Sequence, residues 1–221
     1  MKTNIPVKIF LLSIVTLFGP LFIGEGLLAQ EAEWSREASS LPYNKGTRHL
    51  EIVSPDKGKI AIIDGVKVVV VMEGKHLPNN EDAGVNALAE LLWSPNSTAF
   101  SITESYGGEV GDWHVTVYKI RDGRVYRLNV TKEVVKSFKK HYRCTEPEDP
   151  NVGAVKWLNG GKRLLLVAEV PPHSSCPEMG KLRGYIVEVP TGKIVQQFDE
   201  SKLKADWGQY LGKRLSHKQN N

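Results

Sequence analysis

Two groups of side chains in this 221-residue chain have the types that chemistry uses. The first is the stretch Ser105-Tyr106-Gly107-Gly108-Glu109-Val110-Gly111-Asp112-Trp113-His114. A hydroxyl, two carboxylates and an imidazole are the groups of acid–base and nucleophilic catalysis, and Glu109 with Asp112 also offers oxygen ligands for a weak calcium site. Their spacing, however, fixes them on no common reacting atom. The chain has no Gly-x-Ser-x-Gly elbow and no His-Glu-x-x-His pair, and Gly107-Gly108 lacks the strand-to-helix setting of a phosphate loop. The stretch reads as a connection between strands, with Glu109, Asp112, Trp113 and His114 as candidate ligand contacts and no catalytic residue assigned.

The second group is His141-Tyr142-Arg143-Cys144 with His173-Ser174-Ser175-Cys176. Two His-x-x-Cys pairs supply the four nitrogen and sulfur ligands of a tetrahedral zinc site. These are also the only two cysteines of the chain, and an even count in an exported protein points first to a disulfide, Cys144–Cys176. The two readings exclude each other at the sulfurs. The disulfide is the expectation, with no metal and no cofactor; the set His141, Cys144, His173, Cys176 is the alternative.

The compartment follows from the first residues. Lys2 and Lys8 precede an apolar run from Ile9 to Ile23, and Leu27-Leu28-Ala29 follows it. That is the layout of a secretory signal peptide over residues 1–29, cut after Ala29 or, as second choice, after Ala32. Gly19-Pro20 breaks the run, which is short for a span of roughly 20 residues. A secreted or periplasmic protein without a stable span is expected, with about 190 mature residues that suit one domain. A net charge of +4 is too mild to imply a nucleic-acid partner.

The elements that must position these groups are strands. Residues 30–47 are polar, with Ser39-Ser40-Leu41-Pro42 and Lys45-Gly46 as breakers, and read as a loosely ordered lead-in in which Glu31 to Ala38 has helical character. Strand periodicity then covers His49–Ser54, Lys59–Ile63 and Val66–Met72, with Asp64-Gly65 as a hairpin turn and Gly74 to Asp82 as a solvated loop. A second unit holds Leu88–Trp93, Ala99–Thr103, the alternation Trp113, Val115, Val117, Ile120, and Val125–Val130. Thr131 caps a short helix with Val134, Val135 and Phe138 on one face. The third unit repeats the second, with Val155–Leu158, Arg163–Val170, Gly184–Val189 and Ile194–Phe198. Asp199 then caps a helix holding Leu203, Trp207, Tyr210, Leu211 and Leu215, and 217–221 is a frayed tail.

Each unit opens on the same punctuation: Val53-Ser54-Pro55-Asp56, Trp93-Ser94-Pro95-Asn96 and Trp157-Leu158-Asn159-Gly160-Gly161. Recurrence of a turn and its flanking strands at similar separation is the mark of repeat architecture. The first two copies resemble the tryptophan-Ser-Pro-Asp-Gly turn of WD40-like β-propeller repeats of the Tol-Pal translocation type, over roughly Leu50 to Phe198. The resemblance implies four-stranded antiparallel blades that serve as binding platforms in exported proteins; it brings no catalytic residues. Closed propellers use about four to eight blades. Three units predict an open, mainly β domain over 48–216, propeller-blade-like, with short helices after units two and three; a β-sandwich of the same meanders is the alternative. The function expected is a non-enzymatic exported module binding a protein or cell-envelope component. The alternative is a small secreted enzyme or metal-binding protein using the Gly107–His114 loop or the His/Cys pairs.

Overall fold

The computed structural model describes residues 31–41, 49–79, 84–107, 112–145 and 149–216. The expected signal peptide over 1–29, Glu109 and the expected 217–221 tail lie outside those residues. Three antiparallel sheets form, each built on a meander of four consecutive strands, as the open β-meander reading expects. The first sheet runs β2 (His49–Val53), β3 (Lys59–Asp64), β4 (Lys67–Met72) and β5 (Lys75–His76). The second runs β6 (Leu88–Trp93), β7 (Ala99–Ser105), β8 (His114–Arg121) and β9 (Arg124–Leu128). The third runs β10 (Asn151–Leu158), β11 (Arg163–Glu169), β12 (Leu182–Glu188) and β13 (Ile194–Phe198).

The expected solvated loop after Met72 is therefore only partly a loop. It carries β5, and Leu77 behind it is buried, its N–H donating to the Val70 carbonyl at 2.8 Å. A leucine among polar residues is the signal the composition concealed.

The sheets stack face to face. Ala61, Ile63, Val68 and Val70 of the first meet Leu91, Phe100, Ile102 and Ile120 of the second in one apolar cluster. Leu92, Val115 and Val117 of the second meet Leu164, Leu166 and Tyr185 of the third in another. Helix α1 (Lys132–His141) lays Val134 and Phe138 into that second cluster. Thr131 does not cap α1 through its side chain; its hydroxyl and N–H both bond the Asn129 carboxamide instead, as short polar side chains do where a local turn competes.

The lead-in is the largest correction. Trp34 and Ser35 are wholly buried, and no helix forms over 31–38. A short strand β1 (Ser39–Leu41) adds to the free edge of β6, Ser40 opposite Glu90. Upstream, this strap is stitched to the C-terminus: Gly212, Lys213 and Arg214 donate their N–H groups to the carbonyls of Trp34, Ala32 and Glu33 at 2.9, 3.1 and 3.0 Å. The single expected C-terminal helix accordingly breaks into α2 (Glu200–Trp207), a 3-10 turn Gly208–Tyr210 and α3 (Lys213–Ser216), because Leu211 must bridge to Ser35 between them. Asp199 caps α2 as expected, accepting from Lys202 N–H at 2.8 Å.

Strap and helices together cover the outer face of the third sheet. Trp34, Leu203, Leu211 and Leu215 pack on Val155, Leu165, Val167 and Ile186. Two glycines permit the approach: a Cβ on Gly153 would sit 2.0 Å from the Trp34 ring, and one on Gly184 would sit 2.7 Å from Leu203.

Candidate functional site

The candidate loop builds a pair, but not the one its sequence suggests. Antiparallel pairing of β7 with β8 sets Glu104 directly opposite His114. The Glu104 carboxylate is buried and lies 3.3 Å from His114 Nε2, while its other oxygen accepts the Asn86 N–H at 2.7 Å. Bonding to Glu104 raises the His114 pKa above its ordinary value, against the opposing effect of burial. His114 Nδ1 lies 3.5 Å from the Asp112 carbonyl. The imidazole is thus clamped from both sides, which suits a cross-strand tie better than a base aimed outward. The Asp112 carboxylate turns away to Ser105, 3.5 Å between Oδ1 and Oγ. Trp113 is buried, edge-on to Trp34 with ring centroids 5.9 Å apart. Tyr106 is the exposed aromatic of the loop, 66% accessible.

Sequence reading missed the buried acids. Glu90 sits under the strap and accepts the N–H groups of Trp34 and Ser35 at 3.2 and 3.1 Å. Burial pushes its pKa up to about 8 despite those donors. Glu169 accepts from Asn151 at 3.4 Å and pairs with Arg214 at 2.7 Å; burial raises its pKa, opposed by Arg214. Asn151 Oδ1 in turn accepts the Trp113 N–H at 3.0 Å. The available signal was an acid inside an apolar strand, as in Leu88-Ala89-Glu90-Leu91-Leu92 and Leu166-Val167-Ala168-Glu169-Val170. Both acids hold chain ends in place.

Cys144 and Cys176 form the disulfide, with Cα atoms 5.2 Å apart. It ties the segment after α1 to the loop between β11 and β12. The zinc alternative loses both thiolates to this bond. His141, for its part, faces the Ser137 carbonyl, 3.0 Å from Nδ1.

The repeated turns prove equivalent in atoms as well as letters. In the first, Ser54 Oγ donates to Asp56 and accepts from Lys59 N–H; in the second, Ser94 Oγ donates to Asn96 and accepts from Ala99 N–H. Lys57 and Ser97 occupy the same positive-φ position, at 60° and 56°. The third copy, without its Ser-Pro pair, replaces this with a 3-10 turn at Asn159–Gly161. Bonds from Ser54, Gly58 and Lys59 hold the Asp56 carboxyl well below the usual carboxylate range. The tryptophans stitch unit to unit: Trp93 Nε1 donates to the Ile52 carbonyl at 3.1 Å, and Trp157 Nε1 to the Leu92 carbonyl at 3.0 Å. A groove of about 380 Å³ opens here between Pro55, Trp93, Pro95 and Trp157, with the ion pair Lys156–Glu37 beside it.

Among the described residues, one face of the stack has no element packed on it. On the outer side of the first sheet the register aligns Val53, Ile60 and Val71 in one row and Glu51, Ile62 and Val69 in the next. A third row, His49, Asp64 and Lys67, closes the grid at the hairpin tip. Val53 is 51% exposed and the other four aliphatics are half-buried, and none of the five belongs to an apolar cluster. No helix among the described residues is long and apolar enough to cross a membrane. No known protein family, curated protein or solved structure matches this chain.

Proposed function

We propose that this protein is an exported, non-enzymatic β-repeat module that docks a protein partner of the cell envelope through the outer face of its first sheet. The partner presents an apolar β-sheet face of its own. The observation that carries this reading is the row pattern Val53-Ile60-Val71 over Ile62-Val69, which lies outside the three apolar clusters that cover the other sheet faces among the described residues. Contiguous apolar surface rimmed by polar residues marks an interaction site. Sheet on sheet is also how this chain covers two of its own interfaces. Export is supported by the signal-type N-terminus and by the disulfide. The resemblance of the turns to Tol-Pal-type propeller repeats points the same way, since such repeats act as binding platforms.

Photo-cross-linking groups placed in turn at Val53, Ile62 and Val69 test it in native envelopes. All three positions should give adducts with one protein, mapped to an apolar strand in it, whereas a group at Lys202 on the covered end should give none. No adduct from any of the three, or unrelated adducts from each, overturns the reading.

A further inference from the structure

Resting on that reading, we infer that the sheet face docked there is the same face of a second copy, related by a two-fold axis along β3. Every observation behind this is a matter of register. The outer face is a grid of three rows and three columns, the columns being β2, β3 and β4. Two copies of a sheet packed face to face can be related by a two-fold running along the strands or across them. An axis across the strands would lay Val53, Ile60 and Val71 on the charged row His49, Asp64 and Lys67, burying charge against aliphatics. An axis along β3 keeps every row on itself. Ile60 then meets Ile60 and Ile62 meets Ile62, while Val53 of one copy meets Val71 of the other.

The charges agree with that choice. In the third row Lys67 of one copy meets His49 of the other, and His49 lies 3.9 Å from both the Glu51 and the Asp64 carboxylates of its own copy. Lys67 thereby gains two acids within side-chain reach. The two Asp64 carboxylates meet on the axis, but at the hairpin tip, 72% exposed, with a Lys67 from each copy beside them. Glu51 is the only acid in the two upper rows, and it faces Val69 next to Lys67 of the other copy. An inward-pointing charge of this kind discourages indiscriminate sheet pairing while permitting one register.

Size sets the strength. Three strands about 4.8 Å apart and about six residues long present roughly 300 Å² per copy. That is well under the ~800 Å² per partner that a stable interface buries. The dimer is therefore a weak one, populated only at high protein concentration.

Analytical ultracentrifugation of the purified protein from low micromolar to about 1 mM measures it. The mass should rise toward twice that of the monomer, and Ile62→Asp should hold it at the monomer throughout. Cysteine pairing gives a second readout that tolerates a folding defect in that variant. Ile62→Cys lies on the axis and should oxidise to a covalent dimer by itself. Val53→Cys should do so only when mixed with Val71→Cys. A monomer at every concentration, a dimer indifferent to Ile62→Asp, or Val53→Cys dimerising as readily alone as with Val71→Cys overturns the inference. If those results came with a single envelope partner cross-linked from Val53, Ile62 and Val69, the second copy would be wrong and the docking function would stand. With no such cross-links, both would fall.

Discussion

The outermost sheets of this molecule meet the same problem with different resources. Each is a four-stranded meander with an apolar core side, and each has a second side with no further sheet to lie against among the described residues. The third sheet is covered by chain that happens to be at hand. Its last strand feeds α2 directly, and the strap returns from the other end of the sequence to lock α3 in place. The first sheet begins at His49 and hands its chain on to the second sheet, and among the described residues no segment packs on its outer side. Among those residues, connectivity and not composition separates the two ends.

The largest effects should therefore fall at the covered end. Trp34→Ala empties a wholly buried ring site against Gly153 and Trp113 and should cost about 3–5 kcal/mol. A urea midpoint lowered at unchanged slope would register this. Were the loss under about 1 kcal/mol, the strap would be ornament and the contrast between the two ends would dissolve.

Next comes the disulfide, which joins residues 32 apart around the second interface. Replacing both cysteines by serine should cost about 3–4 kcal/mol in the chain-entropy account. Reductant should produce the same fall in thermal midpoint in the parent protein and none in the variant.

The strap should also respond to pH. The Glu90 pKa, pushed up to about 8 by burial, lies above the ordinary value of 4.5 that the unfolded chain restores. Between those values the folded state keeps a proton that the unfolded state releases, so stability falls as pH rises from about 4.5 to 8. At about 1.4 kcal/mol per pKa unit the full shift corresponds to a loss of roughly 5 kcal/mol. His114 acts in the same direction, since its raised pKa favours the folded state below about 6.5 and the gain fades as pH rises through the folded value. Glu90→Gln separates the two. It should flatten most of the slope, with a loss at low pH because its amide nitrogen cannot accept one of the two strap N–H groups; an unchanged slope would place the linkage elsewhere.

Much of this architecture was legible because strands and turns are local. Asp64-Gly65, Asp122-Gly123 and the Ser-Pro turns mark hairpins by their own φ requirements, and β3, β6, β9 and β13 lie within a residue or two of where alternation places them. What stayed hidden was long-range. Nothing in Glu33-Trp34-Ser35 announces that Glu90, 55 residues beyond Ser35, will receive its amides. Glu104 escaped notice because its partner His114 is brought opposite it only by strand register. Trp113 stood next to a glycine-rich loop and looked available, yet its neighbour Trp34 comes from a segment whose polarity disguised it. The apolar outer rows of the first sheet follow from the strand pattern, but that the third sheet is covered where the first is not required the long-range contacts of the strap and of α2 and α3.

The smallest effect should come from the bare end, and it is the most telling for the comparison. Ile62→Ala removes a side chain as large as those in the core, from the middle of a sheet. Were this face covered in the isolated chain, the cost would be about 2–5 kcal/mol, as for any buried aliphatic. Ile62 is only partly buried, so truncation should cost less than at a fully buried site, about 1–2 kcal/mol in dilute protein. If a partner occupies the face, the same substitution becomes expensive once that partner is bound, because stability then includes the binding free energy. Measuring Ile62→Ala at low and at high protein concentration, beside Leu203→Ala at the covered end, puts the two ends on one scale. Leu203→Ala should cost the same few kcal/mol at both concentrations, and Ile62→Ala should cost more at the higher one. Equal and small costs for Ile62→Ala at both would leave the face bare against other copies, and a large cost in dilute protein would mean that it was never bare.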